Sequence, residues 1–262
     1  MKKVILIDSH ILLFRSIYSW RKRKENWNPP TRQYIVSLIA NLKRLELEHS
    51  DLIILAIDSR KNWRKDIVNE YKANRKDIRE EQSDIPWKYW FDEFDKLLKN
   101  IDISTPFNLI KVERCEADDI ISEACRYFKD KEVIIVSSDT DMEQLAAYPN
   151  VKIFSPISKK YKSIANPYKT LSKKLDKEKT DNLVSPILNE IDFEKRNLIV
   201  NLLSLPKEIS ESIILAFNDI DYNKLYDPDL LSFKVARERF SGIWDRPVKT
   251  KKKKQVNQNS LF

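Results

Sequence analysis

Two acidic clusters near the middle of the sequence contain the residues best suited to chemistry. Glu116, Asp118 and Asp119 begin a segment with helical periodicity, and Asp139 and Asp141 follow a short β-branched run that predicts a buried strand. Carboxylates this close together repel each other, and a divalent cation bound between them removes the repulsion. Their hard oxygen ligands suit Mg²⁺ or Mn²⁺. The sequence therefore predicts a metal site at a helix start and a strand end.

Two more aspartates follow predicted strands earlier in the chain. The apolar runs KVILI and DLIILAI lead directly to Asp8 and Asp58. In α/β folds the carboxyl ends of parallel strands meet at one edge of the sheet, where ligands bind. For Asp8 alone, the alternative interpretation is a helix N-cap. With the late pair Glu178 and Asp181 the chain offers nine carboxylates, which suits two ions about 4 Å apart of the kind that cleave phosphodiesters.

A basic segment from 59 to 79, SRKNWRKDIVNEYKANRKDIR, lies between the second strand and the acidic clusters. Helical spacing would place Lys72, Arg75, Lys76 and Arg79 on neighbouring turns. Cations attract phosphate and aromatic rings stack on bases, so this segment predicts binding of single-stranded nucleic acid. The alternative is a solvated charged helix. The aromatic-rich helix that follows, predicted from Trp87 to Leu98, is interpreted as core packing rather than as a base-stacking platform.

Composition limits the class of protein and its partners. The net charge of +8 over 262 residues favours a polyanionic partner. Two cysteines make no disulfide framework, which indicates a reducing compartment. No apolar run is long enough to span a membrane, and no signal-peptide pattern is present. We therefore expect a cytoplasmic protein that does not contact membranes. Nothing indicates self-association, so we expect a monomer.

The chain divides into three predicted parts. Residues 1–165 form an α/β domain whose central, mostly parallel sheet is flanked by helices. Residues 166–245 are helical, and residues 246–262 form a disordered basic tail. The last five residues are similar to the peptide that docks replication proteins on the sliding clamp, with Gln258, Leu261 and Phe262 as its contacts.

The combination of motifs resembles the 5′-nuclease, or flap endonuclease, family. Asp8, Asp58, WRKDIVNEYKANRK, EADD, SSDTD and a late acidic pair occur in the family's order, and YPNVKIFSPISKKYKSI is similar to the T-even bacteriophage ribonuclease H branch. The resemblance covers about residues 3–240. It implies that residues 1–165 are the catalytic domain, with a parallel sheet beneath two Mg²⁺ ions and a helical arch at about 60–84, and that residues 166–245 are a DNA-binding part. It also implies 5′→3′ exonuclease and flap activity, and a location in the host cytoplasm if a phage encodes the protein. It also implies DNA and RNA–DNA hybrids with 5′ ends or flaps as substrates, and removal of RNA primers during DNA replication.

The resemblance also implies a role for each site residue. Glu116, Asp118 and Asp139 would hold the first metal, with Asp8 and Asp119 close by, partly through water. Asp141, Glu178 and Asp181 would serve the second. Asp58 belongs to the same acidic set. Lys72 would steer the scissile phosphate, Tyr71 would stack on a base, and the other nucleic-acid contacts would be Arg64, Arg75, Lys76 and Arg79.

The chain departs from the family's pattern in its late part. Lys177 and Glu178 stand where the family usually has glycine and aspartate, and the chain's only glycine is Gly242. The glycine-containing helix–turn–helix that grips duplex DNA is therefore expected to be reduced or missing. This predicts weak duplex binding and dependence on a sliding clamp or single-strand-binding protein. Two alternatives remain: a PIN-like ribonuclease, and a catalytically impaired nucleic-acid-binding protein of the replisome.

Overall fold

A six-stranded sheet forms the centre of the protein. The computed structural model describes residues 3–23, 29–48, 50–176, 190–224 and 226–227. The strands are β1 (Lys3–Asp8), β2 (Leu52–Ala56), β3 (Asn108–Ile110), β4 (Glu132–Val136), β5 (Val151–Ser155) and β6 (Lys160–Tyr161). Their spatial order is β3-β2-β1-β4-β5-β6, and all neighbours pair in parallel except β5 and β6. This topology places the carboxyl ends of β1, β2 and β4 side by side.

Helices cover both faces of the sheet. They are α1 (Ser9–Lys22), α2 (Pro30–Leu42), α3 (Arg64–Ile67), α4 (Asn74–Glu81), α5 (Trp87–Ser104), α6 (Ala117–Tyr127), α7 (Lys169–Asp176), α8 (Glu190–Val200) and α9 (Lys207–Asn218). A 3₁₀ helix spans Asp141–Ala147. Helices α1, α2 and α5 pack in one core layer, and α6 and α9 pack in the other. Among the described helices, none is long and apolar enough to cross a membrane.

The central strand shows why continuous apolar runs form this sheet. Ile5 and Ile7 pack in the layer of α1, α2 and α5, whereas Val4 and Leu6 pack in the layer of α6 and α9. All four are fully buried, as expected for a parallel strand covered on both faces. The predicted fold class, an α/β protein with a mostly parallel central sheet, is confirmed. Phe94 is also buried in the first layer, consistent with the core interpretation of α5.

The segment predicted as one arch helix is broken into two. Helix α3 ends at Ile67, a turn follows, and α4 begins at Asn74. Lys72 lies in this turn with φ of 55°, in the left-handed region, which costs a non-glycine residue about 1 kcal/mol. A continuous helix through Lys72 is therefore wrong, and the reason is found in the contacts that Lys72 makes. The basic segment after β5 contains the short strand β6, which pairs with β5 in antiparallel orientation.

Several predictions lie outside the described residues. These are the late acidic pair Glu178 and Asp181, the helical part from 228 to 245, and the clamp-binding residues Gln258, Leu261 and Phe262. The helical part after residue 165 is represented by α7, α8 and α9.

Candidate active site

Five carboxylates from three strand ends and one helix start line a single cavity of about 320 Å³. They are Asp8 after β1, Asp58 after β2, Asp139 after β4, and Glu116 and Asp118 at the start of α6. The sheet order explains this convergence, because β1 lies between β2 and β4 and all three point their carboxyl ends the same way. Lys72, Arg75 and Arg79 line the same cavity. Carboxylates and cations from distant segments thus share one cleft.

Asp8 serves both as a helix cap and as a member of the acidic set. One carboxylate oxygen accepts a hydrogen bond from the Ile11 amide at 3.1 Å, and the other accepts from the Ser137 hydroxyl at 3.3 Å. Burial, together with the carboxylates of Asp58 and Asp139, raises the pKa of Asp8 to about 7. The two interpretations of Asp8 are therefore compatible. The repulsion that raises its pKa is the kind that a bound cation relieves.

The neighbouring carboxylates are held by backbone amides. Asp58 Oδ1 accepts from the Ala117 amide at 2.8 Å, which ties the end of β2 to the start of α6. Asp139 Oδ1 accepts from the Asp141 amide at 2.8 Å inside the turn after β4. Burial, Asp139 and Asp8 together raise the pKa of Asp118 well above its usual value. These carboxylates therefore lie close enough to perturb one another.

Glu116 is held by the segment between α3 and α4. Its Oε1 accepts from Lys72 Nζ at 2.6 Å, and its Oε2 accepts from the Tyr71 hydroxyl at 2.7 Å. Burial alone would raise the pKa of Glu116, but Lys72 and Arg64 outweigh burial and lower it to about 2. This contact explains the left-handed turn, because the ion pair with Glu116 holds Lys72 in a position that a continuous helix would not give it.

The donor set fits a hard divalent cation in chemistry. Oxygen ligands with a surplus of negative charge are what Mg²⁺ and Mn²⁺ prefer. In the part of the chain that the structure describes, no three His, Cys, Asp or Glu side chains are grouped as a ready-made ion site. Glu116 is engaged by Lys72 and Tyr71. The carboxylates that would hold a metal are Asp8, Asp118 and Asp139, joined by Glu116 once Lys72 releases it.

Two predicted site residues form a buried ion pair beneath the cavity instead. Arg64 donates to both oxygens of Asp119, from Nη2 at 2.7 Å and from Nη1 at 2.9 Å. The indole of Trp63 and the amide of Glu116 also donate to Asp119, at 3.1 and 2.8 Å. Asp119 is 0% and Arg64 1% exposed. Neither side chain lines the cavity in this structure, so Asp119 as a metal ligand and Arg64 as a nucleic-acid contact stay predictions.

Tyr71 and Asp141 also lie elsewhere than predicted. Tyr71 is 2% exposed and packs with Ile199 and Val200 of α8, so its ring is not available to stack on a base. Its hydroxyl instead positions Glu116. Asp141 pairs with Lys174 of α7 at 2.6 Å and is not among the cavity-lining residues. The carboxylate of Asp141 is thus not among those that line the cleft, although its amide donates to Asp139 Oδ1.

The predicted cations divide between the cavity and the solvent. Lys72, Arg75 and Arg79 line the cavity, whereas Lys76 has an 83% exposed side chain and pairs with Glu80 at 3.8 Å. The guanidinium of Arg79 lies against three aromatic rings, those of Phe14, Trp87 and Phe91, at 5.4 to 6.0 Å from their centroids. These rings position Arg79 at the cavity wall.

Some cavity-lining residues were not predicted. His10, Phe14 and Tyr18 come from α1, and Trp87 comes from the start of α5. The sequence offered one usable signal: His10 follows the strand-end residue Asp8 by two positions. Trp87 had been assigned with the rest of its helix to core packing.

The chain matches known proteins over most of its length. The family model described as the 5′-3′ exonuclease, N-terminal resolvase-like domain, matches residues 3–179. Ribonuclease H of Enterobacteria phage T4 is 32% identical over 191 residues, which are 70% of this chain and 62% of that protein. A 5′-3′ exonuclease of Buchnera aphidicola subsp. Schizaphis graminum is 32% identical over 178 residues, 66% of this chain and 57% of that protein. The match thus spans about three fifths of each curated relative.

Solved structures from bacteriophage T5 share the fold. A T5 flap endonuclease, in a pseudo-enzyme-product complex with DNA and metal ions, aligns with a TM-score of 0.55 at 17% identity, over 92% of this chain and 98% of that one. The T5 5′-exonuclease with bound zinc aligns with a TM-score of 0.50 at 16% identity, over 93% and 100% of the two chains. Three observations point to the same family: the order of the acidic motifs, their convergence at one sheet edge, and the match over residues 3–179. The chain belongs to the 5′-3′ exonuclease family.

Proposed function

We propose that this protein is a metal-dependent 5′→3′ exonuclease and flap endonuclease. It hydrolyses phosphodiester bonds near the 5′ ends of RNA or DNA in duplex, flap or gapped substrates. The observation that carries this proposal is the cavity in which five carboxylates and the cations of Lys72, Arg75 and Arg79 face one space. The related proteins named 5′-3′ exonuclease and ribonuclease H support it.

Two Mg²⁺ ions, which Mn²⁺ can replace, act with the acidic cavity. When bound, such a pair activates a water molecule and stabilises the leaving oxygen of a phosphodiester. Asp8, Glu116, Asp118 and Asp139 are the residues proposed to hold the first ion. Asp141 is proposed to serve the second together with Glu178 and Asp181, which lie outside the described residues. Asp58 contributes by fixing the start of α6 through the Ala117 amide.

The cations on the cavity wall offset the charge problem that an acidic site creates for its substrate. A phosphate that approaches five carboxylates is repelled, so nearby cations are required to draw it in. Lys72 is placed to exchange partners, because its Nζ now lies 2.6 Å from Glu116 Oε1 and its side chain reaches the cavity. A substrate phosphate would draw Lys72 away from Glu116 and free that carboxylate for the metal. Arg75 and Arg79 hold the strand beside it.

The proposed biological role is removal of RNA primers during DNA replication, as in a phage replisome. The 32% identity to the phage T4 ribonuclease H supports this role. The single glycine of the chain, Gly242, supports a reduced duplex-gripping module and hence reliance on a sliding clamp or single-strand-binding protein. The proposed clamp contacts are Gln258, Leu261 and Phe262, and the proposed state is a cytoplasmic monomer. Equal affinity for a forked duplex with and without these partners would contradict this reliance.

Cleavage of a 5′-labelled flap on a nicked duplex, in the presence of Mg²⁺, tests the proposed activity. Wild type and Asp139→Asn are compared on this substrate, on the matching 3′ flap and on a hairpin RNA. Short 5′-labelled products from wild type alone, and from the 5′ flap in preference to the other two, support the proposal. Preference for hairpin RNA would point to a PIN-like ribonuclease. Binding without cleavage of any substrate would point to a catalytically impaired nucleic-acid-binding protein.

A further inference from the structure

His10 lies in the first turn of α1, beside the acidic set, and has no role in the function proposed so far. Its side chain is 17% exposed and lines the same cavity as Asp8, Asp58 and Asp118. The ring is held by two aromatic neighbours, Phe94 at 5.5 Å in an edge-on contact and Phe14 at 6.4 Å in a tilted one. Its orientation in the cavity is therefore fixed by packing.

One ring nitrogen of His10 is already engaged. The backbone amide of Asp58 donates to Nδ1 at 3.2 Å, so Nδ1 acts as the acceptor. Nδ1 also lies 3.5 Å from Asp58 Oδ2, so both contacts of this nitrogen are with Asp58. They link the start of α1 to the end of β2. Nε2 is therefore the ring nitrogen left for a ligand, and it carries a proton when Nδ1 accepts from the Asp58 amide.

The second nitrogen is left as a donor toward the cavity. No described residue accepts a hydrogen bond from Nε2, and the side chain borders the cavity space. The carboxylates around it, when ionised, can only accept. A phosphate oxygen brought among them would gain from a donor at this place.

We propose that His10 is a substrate-binding residue whose Nε2–H donates to a non-bridging phosphate oxygen of the bound strand. This inference rests on the proposed function, since it requires a nucleic acid in the cavity. His10 would act from the α1 side, whereas Lys72, Arg75 and Arg79 act from the segment around α4. The strand would therefore be held from two different elements of the fold.

Two amide substitutions distinguish the role of the Nε2–H donor from that of the hydrogen bond between Nδ1 and the Asp58 amide. In His10→Asn the short amide can accept from the Asp58 amide in the place of Nδ1, but nothing replaces Nε2–H. In His10→Gln the longer side chain carries its NH₂ to the region of Nε2, but the Asp58 amide loses its acceptor. If His10 donates to the substrate, His10→Asn should bind 5′-flap DNA weakly and His10→Gln should bind it normally. If His10 only supports the fold, His10→Gln should be the more impaired variant.

Affinity and kinetics are measured for both variants on the same 5′-flap DNA. Binding is followed by fluorescence anisotropy without metal, so that no cleavage occurs, and kcat and KM are then measured with Mg²⁺. Loss of a hydrogen bond to a charged group lowers affinity about ten- to a hundredfold. We expect Kd and KM of His10→Asn to rise by this factor while kcat changes less. Its melting temperature should stay close to that of wild type. His10→Gln should stay within a few fold of wild type.

Substrates with one neutral methylphosphonate near the cleavage point identify the phosphate contacted. A methylphosphonate that weakens substrate binding by wild type, but does not weaken binding by His10→Asn further, supports the proposal. Wild-type affinity in His10→Asn would overturn it, as would equal loss in both variants with lowered melting temperatures. Failure of wild type to cleave any 5′ substrate would instead refute the proposed function. In that case the anisotropy comparison still decides whether His10 contacts the strand.

Discussion

Replacing Asp119 by asparagine tests whether this residue stabilises the fold, as its contacts indicate, or binds metal, as its sequence position predicts. Asp119 lies next to Asp118 in the sequence and was predicted to belong to the metal site. In the structure its two oxygens accept hydrogen bonds from Arg64, Trp63 and the Glu116 amide, and it is 0% exposed. We therefore expect Asp119→Asn to unfold the protein at a lower temperature, rather than only to lose activity.

The size of the effect follows from the burial of Arg64. Burial lowers the pKa of its guanidinium, but Asp119 more than compensates and keeps Arg64 charged. In Asp119→Asn the charge of Arg64 stays at 1% exposure and loses its bidentate partner, which leaves Glu116 Oε2, 3.5 Å from Nη1, as its carboxylate neighbour. Removing one partner of a buried ion pair costs about 3–5 kcal/mol. For a chain of this length, such a loss lowers the melting temperature by roughly 10 °C.

The assay is thermal and urea unfolding of Asp119→Asn beside the control Asp139→Asn. Asp139 raises the pKa values of Asp8 and Asp118 by repulsion, and its asparagine retains an oxygen for the Asp141 amide. The control should therefore unfold at or above the wild-type temperature. If Asp119→Asn melted within 2 °C of wild type, a limit of about 1 kcal/mol, the buried ion pair would not have the importance assigned to it.

Three further predictions follow from the same contacts. Lys72→Met removes the ammonium that engages Glu116, so calorimetry should find tighter Mn²⁺ binding together with slower flap cleavage; weaker or unchanged binding would refute competition between Lys72 and the metal. Burial raises the pKa of Cys115 to about 12 and raises that of Cys125 further. Native protein at pH 8 should therefore resist iodoacetamide, whereas unfolded protein should react at both thiols. Rapid labelling of native protein, detected by mass spectrometry, would contradict this burial. Chelation by EDTA should abolish cleavage and leave the far-UV circular dichroism unchanged, because the core is apolar; cleavage that persists in EDTA would exclude a metal-dependent reaction.

The sheet and its acidic edge could be predicted because their signals are local. Strands β1, β2 and β4 are apolar runs, as buried parallel strands must be, and their order makes Asp8, Asp58 and Asp139 converge without further information. A carboxylate that directly follows such a run lies at the ligand-binding edge. The position of these residues follows from the topology alone.

The pairing of charges could not be predicted, since it depends on contacts between distant segments. Arg64 and Asp119 are 55 positions apart, and in sequence both look like solvated or functional charges. The helical period around Lys72 was overridden in the same way, because its Nζ pairs with Glu116, 44 positions away. His10 had no local signal beyond its distance from Asp8, and its role depends on the Asp58 amide.

The most direct test of the central claim is the rate of Mg²⁺-dependent 5′-flap cleavage by Asp118→Asn. Asp118 lines the cavity and is repelled by Asp139 and Asp8, so its neutralisation removes a proposed metal ligand. Arg21→Gln serves as the control, since its partner Asp84 lies away from the cavity lining. We predict a folded Asp118→Asn variant with cleavage reduced to background and a control as active as wild type. A folded Asp118→Asn variant that cleaves at the wild-type rate would contradict the acidic cavity as the active site.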